Sequence, residues 1–284
     1  GWDPYENIPT TTKKAVEYIR KQAKSEQPFF LYFAFPSPHA PIIPNDEFDG
    51  KSGAGAYGDF VYETDDACGR ILKALKASGQ ADNTVVIFTA DNGPEKYAYR
   101  RDEIFDHWSA EPFRGLKRDI YEGGHHVPLI VKWPGLTKAG SVCDKLVSQI
   151  DFMATIASAL KYSLPKNAAE DSHDLLPLLK GKNETPRTVH VHNTRADAWA
   201  IRVDEWNLIT GKSGYHSGRN QQWEEKRSYP ADDKDSVELY HYAKDPSQRV
   251  NLAKKFPKKV AELQKALKDA RDRGFTAPRL AGAR

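Results

Sequence analysis

Apolar and polar residues alternate in two rhythms along the first 160 or so positions. In "TTTKKAVEYIRKQA" threonine caps precede Val16, Ile19 and Ala23 at helical spacing, which predicts a helix. "PFFLYFAF" is then a continuous apolar run of strand length. Residues 57–78 set Tyr57, Phe60, Val61, Cys68, Ile71, Leu72 and Leu75 on one helical stripe, with Gly79 as its C-cap. "TVVIFT" and "VPLIVKW" read as second and third buried strands, and "QIDFMATIASAL" as a further helix. Helix and strand taking turns predicts an α/β sandwich with a mainly parallel central sheet, because crossover helices cover such a sheet.

The character changes after Leu164. Residues 1–164 form the α/β part, and 165–184 are a proline-rich polar linker. Residues 185–284 carry the short strands "TVHVHN", "AWAIRV", "WNLIT" and "VELYHY". An amphipathic helix starts at Pro257, with Val260, Leu263 and Leu267 inside and Gly274 after it. This carboxyl-terminal part is expected to be a small antiparallel sheet with one helix.

Composition narrows the function classes. With 39% hydrophobic and 11% aromatic residues, the 284-residue chain can bury a sizeable core. A formal charge of +3 suits an anionic substrate and is too small to argue for nucleic acid. Cys68 and Cys143 have no C-x-x-C spacing, so no zinc knuckle is written, and Cys68 reads as a small core residue. No apolar run is long enough to span a membrane. The chain opens on Gly1 without an initiator methionine, and upstream sequence is expected to have been removed.

The chemistry gathers at strand ends. "VVIFTADNGPE" ends an apolar strand on Asp91, Asn92 and Gly93. Asn-Gly is a hairpin signal, but Pro94 and a charged stretch follow in place of a second alternating strand. A buried α/β strand that presents its carboxyl end to a ligand fits better. In "FPSPHAPI" prolines hem in His39 and aim its imidazole, as proton transfer requires. Lys117 precedes the Gly-Gly turn of "LKRDIYEGGHHVP". His190 and His192 share one strand face, where they could hold a metal or simply pack. Asn183-Glu184-Thr185 matches a glycosylation acceptor, meaningful only in a secretory pathway.

In order and surroundings these segments resemble the carboxyl-terminal portion of a formylglycine-dependent sulfatase of the alkaline-phosphatase superfamily. "FFLYFAFPSPHAPIIP" is similar to the family's Pro-His-x-Pro loop. "YGDFVYETDDACGRILKALKASGQADNTVVIFTADNGPE" is similar to its helix and Asp-Asn-Gly strand end, and "FRGLKRDIYEGGHHVPLIVKWPG" to its Gly-x-Lys…Glu-Gly-Gly segment. "AIRVDEWNLITGK" and "ELYHYAKDPSQRVNLAKKFP" look like its carboxyl-terminal subdomain. The nearest look-alikes are bacterial arylsulfatases similar to N-acetylgalactosamine-6-sulfatase.

The resemblance implies roles. Asp91 and Asn92 match ligands of a Ca²⁺ that also binds the sulfate, and Asp91 would accept a proton from the nucleophile. His39 and Lys117 match contacts to the sulfate and the bridging ester oxygen, with His39 protonating the leaving alcohol. His192, Asn193 and Trp199 are candidates for shaping substrate choice, with core packing the alternative for His192 and Trp199. The implied substrate is a sulfated carbohydrate or aryl sulfate, and the implied location is the periplasm or outside the cell.

Two departures qualify this picture. His126 stands where the family usually has Arg, although Glu122 is kept. The nucleophile motif Cys/Ser-x-Pro-x-Arg and the Asp-Asp pair that complete the calcium site are absent from these 284 residues. The chain alone is therefore expected to be inactive and to need the enzyme's amino-terminal segment as a partner. Two alternatives stay open: a phosphodiesterase or phosphonate hydrolase of the same superfamily, and a non-catalytic sulfoglycan-binding homologue.

Overall fold

The fold is that of a computed structural model, which describes residues 3–182, 185–195, 197–211, 214–215, 218–229 and 237–277. Asn183 and Glu184 of the glycosylation acceptor lie outside the described residues. The chain divides into two compact units, Gly1–Ile87 with Tyr97–Ser109, and Phe88–Lys96 with Ala110–Arg284. The 165–184 connection falls within the second unit.

The first unit is built on helices α1 (Asn7–Gln22), α2 (Gly55–Ala77) and α3 (Ala98–Phe105). The stripes of α1 and α2 meet in two small clusters, Ile8 with Phe60 and Ala67, and Ile19 with Ala74 and Leu75. The apolar run 28–36 is extended, but among the described residues it joins no sheet ladder. Phe29, Leu31 and Phe35 turn onto the helix clusters, whereas Phe30 and Tyr32 are 82% and 81% exposed. The run thus differs from the doubly buried strand expected of it: α1 and α2 cover one face only. Buried Asp59 and Glu63 on α2 accept backbone N–H groups of Gly50, Ser52 and Asn45, which fixes the loop between the helices.

In the second unit β1 (Val86–Thr89), whose last two residues open it, pairs with β2 (Leu129–Lys132). Short α4 (Glu122–His125) precedes β2, and α5 (Asp151–Ala159) and α6 (Leu176–Leu179) follow it. Then come β3 (Val189–Arg195), β4 (Ala198–Val203), β5 (Trp206–Thr210), α7 (Gln221–Lys226), β6 (Val237–His241) and α8 (Pro257–Arg273). Arg187, buried just before β3, donates to both carboxylate oxygens of buried Asp151 at the start of α5, and His173 N–H donates to the same group. That pair straps the 165–184 connection to the body of the unit; losing one member would leave the other charge buried alone.

Strands β3 to β6 form an antiparallel sheet in chain order, as the four short alternating runs predict. The period-2 alternation gives it two unlike faces. Ile201, Leu208 and Leu239 pack on Leu263 and Leu267 of α8, with Val189, Val191 and Trp199 around them. The other face presents His190 and His192, Ala198 and Ala200, Asn207 and Ile209, and Glu238 and Tyr240. On it lies the segment Ile120–Tyr121. Pro257 opens α8 and Gly274, at φ 76°, closes it.

Candidate active site

His39 belongs to the first unit. Its N–H donates to Pro36 O at 3.2 Å, and the Ser37 hydroxyl meets Thr64 of α2 at 2.6 Å, so the proline-rich loop is tied to the helix. The exposed imidazole holds Nδ1 at 2.7 Å from the Ala40 carbonyl. A carbonyl only accepts, so Nδ1 carries the proton and Nε2 is the ring atom free to take or give one.

Asp91, Asn92 and Lys117 belong to the second unit, and the loops that carry them clasp one another. Gly93 N–H donates to Gly124 O at 2.9 Å, and Lys117 N–H donates to Pro94 O at 2.8 Å. A methyl on Gly93 would overlap the Gly123 carbonyl, so only glycine allows so close an approach. Arg118 donates to both carboxylate oxygens of Glu95. That hydrogen bond and the Arg118 and Lys117 charges pull the Glu95 carboxyl below its ordinary range, against the effect of burial. Asp91 is exposed; Asn92 is half-buried and its Nδ2 donates to Gly93 O, which leaves Oδ1 as the amide's acceptor.

The Lys117 loop is drawn tight. Asp119 is buried and accepts Leu116 N–H, Gly115 takes φ 87°, and Arg118 sits at φ 74°. A non-glycine residue in that left-handed region costs roughly 1 kcal/mol or more, held by the surroundings beside the candidate lysine. Its base rests on the polar sheet face through His192 Nε2, 3.2 Å from Ile120 O, and Thr194 Oγ1, which donates to Arg118 O, while Ile120 N–H donates to Gly214 O beyond β5. Glu122 N–H donates to Gln248 Oε1 at 2.8 Å.

Glu122 is buried among histidines. His126 Nδ1 lies at 3.0 Å from one carboxylate oxygen and His125 Nε2 at 3.9 Å from the other. Burial pushes this carboxyl up, but the His126 hydrogen bond and the nearby His125, His126 and Arg202 charges outweigh it and hold it at about 2. His126, where the family usually has Arg, thus stands against Glu122, and it stacks on Phe113 at 4.1 Å.

The rings of His125 and His192 are 4.1 Å apart and those of His192 and His190 5.3 Å. Desolvation lowers the pKa of all three, with nearby positive groups adding to it, and holds that of His190 at about 4. The three rings stack under the Lys117 loop, where His192 Nε2 meets Ile120 O. Among the described residues no group of three or more His, Cys, Asp or Glu could hold a metal ion. Asn193 is exposed and pairs across the ladder with Trp199. Trp199 is half-buried over the α8 cluster, with the Arg271 guanidinium 4.2 Å from its ring centre. Three residues that hold this site together escaped the sequence reading: Arg114, Glu95 and Gln248. The only local signal was the Arg-Gly pair that opens the loop.

These features define an α/β protein with a strand-end acid–amide pair clasped to a lysine loop. Residues 5–162 match the sulfatase family, and residues 115–273 match the N-sulphoglucosamine sulphohydrolase carboxyl-terminal family. The chain belongs to the sulfatase family, with an alkaline-phosphatase-like fold.

Among its relatives, an N-acetylgalactosamine-6-O-sulfatase of Bacteroides thetaiotaomicron is 34% identical over 276 residues, covering 96% of this chain and 52% of that protein. The N-acetylgalactosamine-6-sulfatase of Mus musculus is 32% identical, covering 85% and 48%. A solved structure described under metabolism of multiple glycosaminoglycans by Bacteroides thetaiotaomicron superposes with TM-score 0.79 at 32% identity, over 95% of this chain and 55% of that one. A Pseudoalteromonas sulfatase with TM-score 0.77 and 24% identity, over 93% and 52%, shares the fold. The chain spans about half the length of the curated relatives it matches.

Proposed function

We propose that this chain forms the carboxyl-terminal portion of a sulfatase that hydrolyses a sulfate ester, of a sulfated sugar such as a 6-sulfated N-acetylgalactosamine or of an aryl sulfate. The observation that carries the reading is the clasp of the Asp91–Asn92 loop on the Lys117 loop, within residues that match the family. The carboxylate of exposed Asp91 and Oδ1 of Asn92 are hard oxygens on adjacent residues, and their chemistry suits part of a Ca²⁺ shell. Ca²⁺ takes about six to eight oxygens, so other ligands must complete the shell. When bound, the cation offsets charge on the sulfate oxygens.

The chain's own groups then divide the work. The Lys117 ammonium, with its backbone pinned to Pro94, binds the sulfate and the bridging oxygen. His39, with Nδ1 committed to Ala40, offers Nε2 to protonate the leaving alcohol. Asp91 accepts the nucleophile's proton. Of the three substrate-choice candidates Asn193 is exposed, whereas His192 packs under the Lys117 loop and Trp199 is half-buried over the α8 cluster.

The nucleophile and the remaining calcium ligands come from the enzyme's amino-terminal segment, and the enzyme works in the periplasm or outside the cell. Large apolar side chains left open to water, Phe30, Tyr32, Ile130, Met153 and Leu160, support a covering segment. Among the described residues no helix is long and apolar enough to cross a membrane. The test is to assay the full-length enzyme on sulfate and phosphate esters with and without calcium. Sulfate release that depends on calcium and collapses in Asp91→Ala is expected; preference for a phosphate ester, or indifference to Asp91→Ala, overturns the reading.

A further inference from the structure

We propose that Arg114 is a positioning residue for Lys117, and that it works by riveting the lysine loop to the carboxyl-terminal sheet. This rests on the reading of Lys117 as the sulfate-binding lysine. Arg114 is only 3% exposed, unusual for a guanidinium. Nε donates to Tyr215 Oη at 2.6 Å, and Nη1 donates to Tyr240 Oη at 3.1 Å and to Gln248 O at 3.3 Å. Glu238 Oε2 lies 3.8 Å away and the Tyr121 ring centre 4.1 Å. Burial alone would lower the pKa of this group, but the surrounding tyrosine oxygens and Glu238 more than reverse that, so the charge is permanent.

The placement of these partners converts a buried charge into a clamp. Tyr240 and Glu238 stand on the polar face of β6, and Gln248 belongs to the turn beyond it. Tyr121 is inside the lysine loop, and its hydroxyl donates to Glu238 at 2.9 Å. The Arg114 carbonyl accepts Gly123 N–H at 2.7 Å, and Gln248 Oε1 accepts Glu122 N–H. Both ends of the loop are therefore closed on each other and fastened to one strand and its turn. Lys117, at the apex, is anchored by the Pro94 carbonyl and by the base below. If the rivet loosens, the apex swings while the clasp to Pro94 survives.

Arginine suits the task because a planar fork can address the two tyrosine oxygens and the carbonyl at once and still stack on a ring. A lysine keeps the charge and reaches at most part of that set. Beyond the stability of the core, the position of the Lys117 amine then reports on the guanidinium.

The experiment uses the full-length enzyme with Arg114→Lys, and with Tyr215→Phe, which removes one acceptor and keeps the ring. Two readouts are taken: kcat and KM on an aryl sulfate, and the acetylation rate of Lys117 by acetic anhydride from peptide mass spectrometry, with exposed Lys73 on α2 as the internal control. We expect Lys117 acetylation to rise several-fold with Lys73 unchanged, and kcat to fall about ten- to a hundredfold with KM little changed. Unchanged Lys117 acetylation and kcat in both variants, with only a lower melting temperature, overturns the proposal and leaves Arg114 a structural residue. Lys117→Ala separates this inference from the function it rests on. If turnover survives there, the sulfate-binding role falls, while the acetylation result still decides what Arg114 does.

Discussion

The two faces of the β3–β6 sheet bury side chains by opposite physics. Toward α8 the contacts are Ile201, Leu208, Leu239, Leu263 and Leu267, and any apolar group of similar volume serves there. Toward the lysine loop the contacts are directional: an arginine fork, two tyrosine hydroxyls, two carboxylates and a histidine stack. The apolar face supplies stability without fixing direction. The polar face contributes less net stability, because each of its hydrogen bonds replaces one to water, but it fixes where the lysine backbone lies. A single strand serves both purposes only because its side chains alternate.

If that contrast is right, substitutions on the two faces separate cleanly. The largest effect belongs to the loop that the polar face carries: Lys117→Ala in the full-length enzyme should lower kcat/KM by about a hundredfold or more while leaving the melting temperature nearly unchanged. On the apolar face, Leu208→Ala should cost about 2–5 kcal/mol in denaturant unfolding, with kcat of the folded fraction preserved. A comparable loss of kcat there would erase the distinction between the faces.

The histidine stack makes the polar face the acid-labile one. His190 is held at about 4 in the folded protein against an ordinary 6.5, so the unfolded chain binds the extra proton first. Its contribution to stability is fully present above pH 6.5 and is lost as pH falls toward 4. Glu122, held at about 2 against 4.5, is stabilising above 4.5 and loses that contribution as pH falls toward 2. Urea midpoints should thus decline from pH 6.5 downward, and His190→Phe should flatten the first part of that decline. The smallest effect is expected at Arg271 over Trp199, where Arg271→Ala should cost about 0.5–1 kcal/mol and leave substrate discrimination alone. A changed preference among sulfated sugars would instead bring Trp199 into the site.

Much of the fold could be read from period and punctuation. The four alternating runs became β3 to β6, and the Pro257 and Gly274 signals bound α8, because each pattern is local. The run 28–36 was harder: continuous apolarity does not say which face finds a partner, and here only Phe29, Leu31 and Phe35 do. Asp91, Asn92 and Lys117 stood out by their motifs, and backbone contacts join the loops that carry them. Arg114 could not be read, since its tyrosine partners lie 101 and 126 residues further along the chain. His190 and His192 were visible as one strand face, but only the fold sets His125 against them.

The most direct measurement is sulfate release from 6-sulfated N-acetylgalactosamine and from an aryl sulfate by the purified 284-residue chain, with calcium present, before and after addition of the enzyme's amino-terminal segment. No turnover is expected from the chain alone, because its two cysteines lie outside the motif the nucleophile requires, and turnover should appear with the added segment and vanish in Lys117→Ala. Robust sulfate release by the chain alone, or a reconstituted enzyme indifferent to Lys117→Ala, would contradict this expectation.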